Sequence, residues 1–271
     1  MKVTVLGCGG SGGVPLADGT PGGNWGNCDP TEPRNRRRRV SVMVEGEGAG
    51  GGTLLIDCSP DLRAQLLDHP VARLDAVLLT HAHADHVHGI DDLRAYTYRQ
   101  RAAIPTYMDT ATHKTVTRRF DYVFASSHAE SNLYPALLDD RVIVAGVPFD
   151  AAGFSVLPIL QEHGHTHSLG YRIGDFAYST DVARLDDTAL HALTGLKLWV
   201  VDCLRMAPHP THSHFERTIR WVEWVKPQHT ILTHMNHSTD YQALAALCPA
   251  GVEPAYDGLS VRLSTDGPVS G

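Results

Sequence analysis

Short apolar runs recur along the whole chain, and most are rich in Val, Ile and Leu. They are KVTVLG (2–7), VSVMVE (40–45), TLLID (53–57), DAVLLT (75–80), FSVLPIL (154–160), LGYRIG (169–174), FAYST (176–180), KLWVVD (197–202), HTILTH (229–234) and SVRLS (260–264). Each is bounded by Gly, Pro, Asp or His, which predicts a buried or half-buried strand. Helical patterns fall between some of them. SPDLRAQLLDHP (59–70) has a Ser cap and a Pro stop, DDLRAYTYRQRA spans 91–102, DDTALHALTG (186–195) ends in Gly, and HFERTIRWVEWVKP spans 214–227. The strands cluster, with single helices between clusters. That is not the strict βα alternation of a doubly wound sheet or a TIM barrel, and it predicts two sheets with helices packed outside them.

Breaks in the pattern fall in three places. GEGAGGG (46–52) lies between two strand runs and reads as a hairpin tip, and the tail TDGPVSG (265–271) reads as frayed. The stretch from Gly9 to Arg39, rich in Gly, Pro, Asn and Arg, has no periodicity. Loops of that length inside a compact unit are often functional. No linker or repeat divides the chain, which is expected to form one domain over residues 1–271.

Composition adds a constraint and an anomaly. Hydrophobic content of 42% and charge of 20% are ordinary for a globular protein. The net charge of −7 argues against nucleic acid as the main partner, although RNRRRR (34–39) departs sharply from that average. The five cysteines form no CxxC pair and read as reduced thiols. With no leader-like N-terminus and no apolar stretch of membrane-spanning length, a cytoplasmic, soluble protein is expected. The anomaly is 17 histidines, four of them within LLTHAHADHVHG (78–89).

In THAHADH the ligand-type residues His81, His83, Asp85 and His86 follow an apolar strand. Residues at i and i+2 on a tight turn can converge on one ion, and Asp85 and His86 can face a second ion beside it. Imidazole with carboxylate suits Zn(II), Mn(II) or Fe(II) better than Ca(II) or Mg(II). Four residues cannot hold two metals, so more ligands are required at the ends of other strands. Candidates are present in QEHGHTHSLGY after one strand, at Asp181 ending another, and at His234 ending a third. Asp181, with two oxygens, is the natural bridge.

These motifs resemble those of the metallo-β-lactamase fold hydrolases and, within them, the carbon–phosphorus lyase pathway phosphodiesterase branch. The resemblance covers GCGGSGGVP, LLIDCSPDLR, LLTHAHADHVHGI, SLGYRIG, AYSTD, VVDCLR, ILTHMNH and YDGL, nearly the whole chain. It implies an α/β, four-layer αββα sandwich and two divalent metal ions. His81, His83 and a histidine of 163–167 would hold one ion; Asp85, His86 and His234 would hold the other, with Asp181 bridging. His163 is taken over His165 and His167, because it directly follows an apolar strand and the family places its ligand several residues before LGY. His165 is then a candidate substrate contact.

The resemblance also implies the reaction. A hydroxide held by two cations is a ready nucleophile, and the cations stabilise charge at phosphorus. His212 falls where the family's non-ligand catalytic histidine lies and is assigned as general acid. Asp202 would orient it, and Asp57 would fix a ligand histidine. His214, Arg36 and Arg38 are candidate substrate contacts, arginine being well matched to phosphate. The family enzyme's additional structural zinc needs three cysteines in the early loop, where this chain has Cys28 alone. That zinc is therefore expected to be absent, with the loop held by packing around Trp25. The expected function is hydrolysis of a small cyclic or nucleotide-like phosphodiester, in a chain that could dimerise. Thioester or lactam hydrolysis uses the same ligands. A tRNA 3′-processing role would call for a basic, glycine- and lysine-rich arm, and the sequence has none.

Overall fold

A computed structural model describes residues 1–48, 51–124, 136–264 and 267–270. The first sheet contains β1 (Lys2–Gly7), β2 (Ser41–Glu45), β3 (Thr53–Ile56), β4 (Ala76–Leu78), β5 (Ile104–Met108) and β6 (Leu138–Val142). The second is built from β7 (Phe149–Ala151), β8 (Phe154–His163), β9 (Thr166–Ile173), β10 (Phe176–Ser179), β11 (Leu198–Asp202), β12 (His229–Thr233) and β13 (Val252–Pro254). The chain then returns to the first sheet through β14 (Ser260–Ser264) and β15 (Gly267–Ser270), giving the order β15-β14-β1-β2-β3-β4-β5-β6. The second sheet runs β13-β12-β11-β10-β9-β8-β7.

Each sheet changes character part-way. Pairings are antiparallel from β15 to β3 and parallel from β3 to β6; they are antiparallel from β7 to β10 and parallel from β10 to β13. In the parallel halves all the strands end at one edge, where side chains can converge on a ligand.

Period-two alternation sorts the core. In the first sheet Val3, Val5, Val42, Val44, Leu54, Ile56, Ala76 and Leu78 face the second sheet's Tyr171, Ile173, Tyr178, Val200 and Ile231. The intervening Met43, Leu55, Val77 and Leu79 pack outward against Leu62 and Leu66 of α1 (Leu62–Asp68), Val87 of α2 (Ala84–Val87) and Val116. Val116 belongs to a helix over Thr110–Arg119, α4, which follows α3 (Arg94–Gln100). Helices α5 (Asp187–Ala192), α6 (Phe215–Val225) and α7 (Tyr241–Leu247) carry Leu190, Trp221 and Leu244 into the core cluster of the second sheet. The result is two mixed sheets flanked by helices.

Several local expectations differ from the structure. The tail is not frayed throughout: Gly267–Ser270 pairs antiparallel with β14. Asp61, not Ser59, holds the N-cap position of α1, with its carboxylate turned to Arg39 and no side-chain cap bond, while the Ser59 hydroxyl accepts from the Asp61 N–H and donates to Gln65. The 91–102 helix is preceded by a 3₁₀ turn at Ile90–Leu93 and starts at Arg94. Besides β15, four strands were not read from the pattern: β5 contains Pro105, β6 is the polar LDDRV, and β7 and β13 have three residues each. Part of the GEGAGGG tip, residues 49–50, lies outside the described residues, though Gly46 and Gly52 pair across its base.

The Gly9–Arg39 segment is ordered by hydrogen bonds more than by Trp25. Arg37 is 2% exposed, and its Nη1 donates to the carbonyls of Asn236 and Thr239. Asn35 donates to Asp240, and the Cys28 thiol to the carbonyls of His237 and Thr239. Trp25 remains half-exposed, with the Arg36 guanidinium 5.0 Å over its ring. A buried guanidinium therefore ties this loop to the segment after β12.

Candidate metal centre

The parallel strand ends deliver the site. Asp57 follows β3, His81 lies three residues past β4, Asp181 lies two past β10, Asp202 ends β11 and His234 follows β12. Three of these turn the chain with positive φ: Asp57 (63°), Asp181 (50°) and His234 (60°). Non-glycine residues take that conformation at a cost, and such strain collects at functional positions.

Asp181 stands at the middle, 2% exposed, with its two oxygens facing two groups of histidines. Its Oδ2 lies 3.6 Å from His81 Nε2 and 3.4 Å from His163 Nε2. Its Oδ1 lies 3.0 Å from both His86 Nε2 and His234 Nε2. His83 Nδ1 is 3.3 Å from His163 Nε2, and Asp85 Oδ2 is 3.4 Å from His86 and 3.6 Å from His234. Two donor clusters result, His81–His83–His163–Asp181 and Asp85–His86–His234, each with ligand atoms within 4.8 Å of one another.

The residues present fit divalent ions. The Nε2 atoms of His81, His86 and His234 are buried and make no hydrogen bond, although two of them sit 3.0 Å from a carboxylate oxygen. Buried polar atoms rarely go unpaired, and atoms that converge without donor–acceptor alignment are placed as ligands are. The opposite ring nitrogens of His81, His86 and His163 are engaged, that of His81 by the Thr80 hydroxyl at 3.1 Å, while His234 Nδ1 is buried without a partner. His86 Nδ1 is 2.6 Å from Asp57 Oδ2, and His163 Nδ1 donates to the Thr211 carbonyl at 2.7 Å. Asp57 is fully buried and also accepts from the Thr80 N–H and hydroxyl. Such partners fix the tautomer that leaves Nε2 free to ligate.

The electrostatics are those of a concentrated, mutually compensating cluster. Burial would raise the Asp181 carboxyl, but His234, His86 and His81 hold it well below the usual range. Burial would lower His234, and Asp181, Asp85 and Asp202 hold it up, at about 9. His81 is pushed down by burial and by the neighbouring imidazole of His86. Cations compete with protons for these same atoms, so metal binding here releases protons.

His163 is 3% exposed within the cluster, whereas His165 and His167 are exposed and His165 lines the cavity rim. His212 Nδ1 lies 3.0 Å from Asp202 Oδ2, and its Nε2 is 3.8 Å from Asp181 Oδ2. With Asp181 and His234 it forms a third possible ligand group. A cavity of about 440 Å³ opens over the cluster, lined by Ser11, His83, His163, His165, Asp181, His212 and others.

Three expected substrate contacts lie elsewhere. Arg38 is drawn away by an ion pair with Asp68 at 2.6 Å, and Arg36 stacks on Trp25. His214 is the buried N-cap residue of α6 and lines none of the cavities at the metal centre, while Ser213, a possible cap, is buried and bonded to Thr218. His88, the fourth histidine of LLTHAHADHVHG, sits at the C-cap of the short helix α2, and its ring packs on Phe120. Sequence reasoning missed Thr80, Thr211 and His209. The first two act through hydrogen bonds that no spacing reveals, and His209 was visible only as a further histidine of HPTHSH.

The beta-lactamase superfamily domain matches residues 53–235, more than half of the chain. The chain belongs to the beta-lactamase superfamily. Its two sheets and flanking helices are the α/β metallo-β-lactamase sandwich. The crystal structure of a new diphosphatase from the PhnP family superimposes on it with a TM-score of 0.83, at 32% identity, over 96% of each chain. An octanoyltransferase of Porphyromonas gingivalis is 32% identical over 271 residues, 98% of this chain and 52% of its own length. A ribonuclease Z of Bradyrhizobium sp. is 29% identical over 143 residues, 51% of this chain and 45% of its own. The chain thus spans about half the length of the curated relatives it matches. Among the described residues no helix is long and apolar enough to cross a membrane.

Proposed function

We propose that the chain is a dinuclear metal-dependent phosphodiesterase that hydrolyses a small cyclic or nucleotide-like phosphodiester. One ion would be held by His81, His83 and His163, the other by Asp85, His86 and His234, with Asp181 between them. Zn(II), Mn(II) or Fe(II) in these positions would supply Lewis-acid stabilisation at phosphorus and a water of lowered pKa.

The observation that carries the reading is the pair His212–Asp202. Asp202 is fully buried and accepts from His212 Nδ1–H, which directs the other ring nitrogen, Nε2, toward the ligand cluster. A histidine oriented by a carboxylate and facing the reacting centre is built to give a proton to a departing alkoxide. The other Asp202 oxygen is buried without a partner, and Oδ2 also accepts from the Val182 N–H, so the carboxylate is locked to the Asp181 segment. The likeness to the PhnP-family diphosphatase over nearly the full length of both chains supports phosphorus as the attacked atom.

The test is a side-by-side assay of the metal-loaded protein on bis(4-nitrophenyl) phosphate, a thioester and a cephalosporin. Preferred turnover of the phosphodiester is expected. Faster turnover of the thioester or the lactam would replace the reading.

A further inference from the structure

The metal-centre cavity does not end at His212. A second compartment of about 320 Å³ continues from it, lined by Gly10–Gly13, Leu16, Leu204, His209, Asn236 and His237. Ser11, His212 and His234 line both compartments, so His212 stands at the junction. Resting on the phosphodiesterase reading, the oxygen that takes His212's proton is the leaving oxygen, and the group it carries departs past His212 into this second space.

Several hydrogen-bond donors of that space have no partner of their own. His209 Nδ1 accepts from the Thr211 N–H at 3.3 Å, and a backbone N–H can only donate, so the neutral ring carries its proton on Nε2. Asn236 Oδ1 accepts from the Ser238 N–H and hydroxyl at 2.9 and 2.7 Å, which fixes the amide and leaves Nδ2 as the free end. The N–H groups of Ser11 and Gly12 find no acceptor among the described residues, while those of Gly10 and Gly13 are bonded to Met235 and Gly10 carbonyls. No Asp, Glu, Lys or Arg side chain lines the space. The wall thus offers four free donors and no carboxylate, beside the Ser11 hydroxyl and the His237 ring, which can donate or accept. A Cβ on Gly10 would come within 3.3 Å of Leu204, and one on Gly12 within 2.4 Å of the tip of the Leu16 side chain.

We propose that this compartment is a leaving-group subsite for an oxyanion, with His209 Nε2–H and Asn236 Nδ2 as its side-chain donors. The substrate would then carry a phosphoryl or carboxylate group on its leaving side. The hydrolysis balances in the ordinary way. Water's oxygen bonds to phosphorus, the bond from phosphorus to the leaving oxygen breaks, and His212 protonates that oxygen. Free donors with no carboxylate beside them suit an anion.

The test compares two chromogenic methyl phosphodiesters, one releasing 4-nitrophenolate and the other 3-carboxy-4-nitrophenolate, on the metal-loaded protein. A third ester, releasing glycerol 3-phosphate beside a glycerol control, separates phosphoryl from carboxylate preference. The carboxylated or phosphorylated ester is expected to have the higher kcat/KM. The charged-to-neutral ratio should fall roughly tenfold in His209→Ala and further in Asn236→Asp, mainly through KM. Ratios near one in the wild type, or unmoved in both folded variants, would overturn the subsite while leaving the phosphodiesterase reading intact. Absence of turnover for all esters would overturn both.

Discussion

His212 and Asp57 occupy parallel positions, one lining the cavity over the histidine cluster and the other behind His86, and substitution separates the roles proposed for them. His212→Ala should keep its metal content and lose roughly 10²–10⁴ in turnover, most for esters with poor leaving groups, because only those need the proton. Metal analysis beside a leaving-group series checks this; equal losses across the series would remove the acid role. Asp57→Asn should weaken metal affinity about 10–100-fold, since the 2.6 Å contact to His86 Nδ1 both orients the ring and strengthens it as a donor. A chelator titration followed by residual metal reads that directly. Unchanged affinity would make Asp57 a strand-end cap and no more.

At the scale of elements, the connection between the early loop and the segment after β12 rests on Arg37. Its guanidinium is buried and meets carbonyls at 2.8 and 3.3 Å. Arg37→Ala leaves those carbonyls unpaired and a cavity behind, a loss of about 2–4 kcal/mol. For a chain of this size that lowers Tm by roughly 5–15 °C, which a melting curve would show. The sequence made little of this arginine, because a charge run usually ends in solvent and nothing in RNRRRR distinguishes its fourth residue. The long strands and the donors at their ends were legible, since buried parallel strands read as continuous apolar runs and their ends are polar. His163 was legible from its place after an apolar run. The edge strand LDDRV was not, because its exposed face carries no hydrophobic alternation, and Arg36 and Arg38 were misread because Trp25 and Asp68, distant or unremarkable in sequence, claim them.

Across the whole molecule, one buried carboxylate sets a pH dependence outside the metal centre. Burial raises Asp257 to about 6, with hydrogen bonds from the Arg38 and Cys8 N–H groups opposing the rise. Its unfolded value is near 3.9. The folded state therefore favours the protonated form. The stability this contributes is complete below the unfolded pKa and is lost as pH rises through about 6, a change on the order of 2–3 kcal/mol. Denaturant unfolding of the wild type and Asp257→Asn between pH 4 and 7 should show the difference between the two curves changing with that sign. Parallel curves would mean that Asp257 does not titrate in this range. The sheets themselves assemble from residues spread over the chain, with β14 returning to pair with β1, so the first sheet cannot close until residue 264 is in place.

The left-handed turns at Asp57, Asp181 and His234 have a consequence for anyone redesigning this protein. Each holds a side chain at the metal centre in a backbone conformation that glycine adopts freely and that costs other residues about 1 kcal/mol. Asp181→Gly should therefore melt higher than Asp181→Ala, with both variants deficient in metal; equal melting would show the turn to be unstrained. A search for thermostability that screens only for folded yield is thus drawn to glycine where the side chain gives the fold least in return, which excludes Asp57 with its bonds from Thr80 and His86. At Asp181 it would relax a strained turn and remove the carboxylate at the middle of the cluster in the same step.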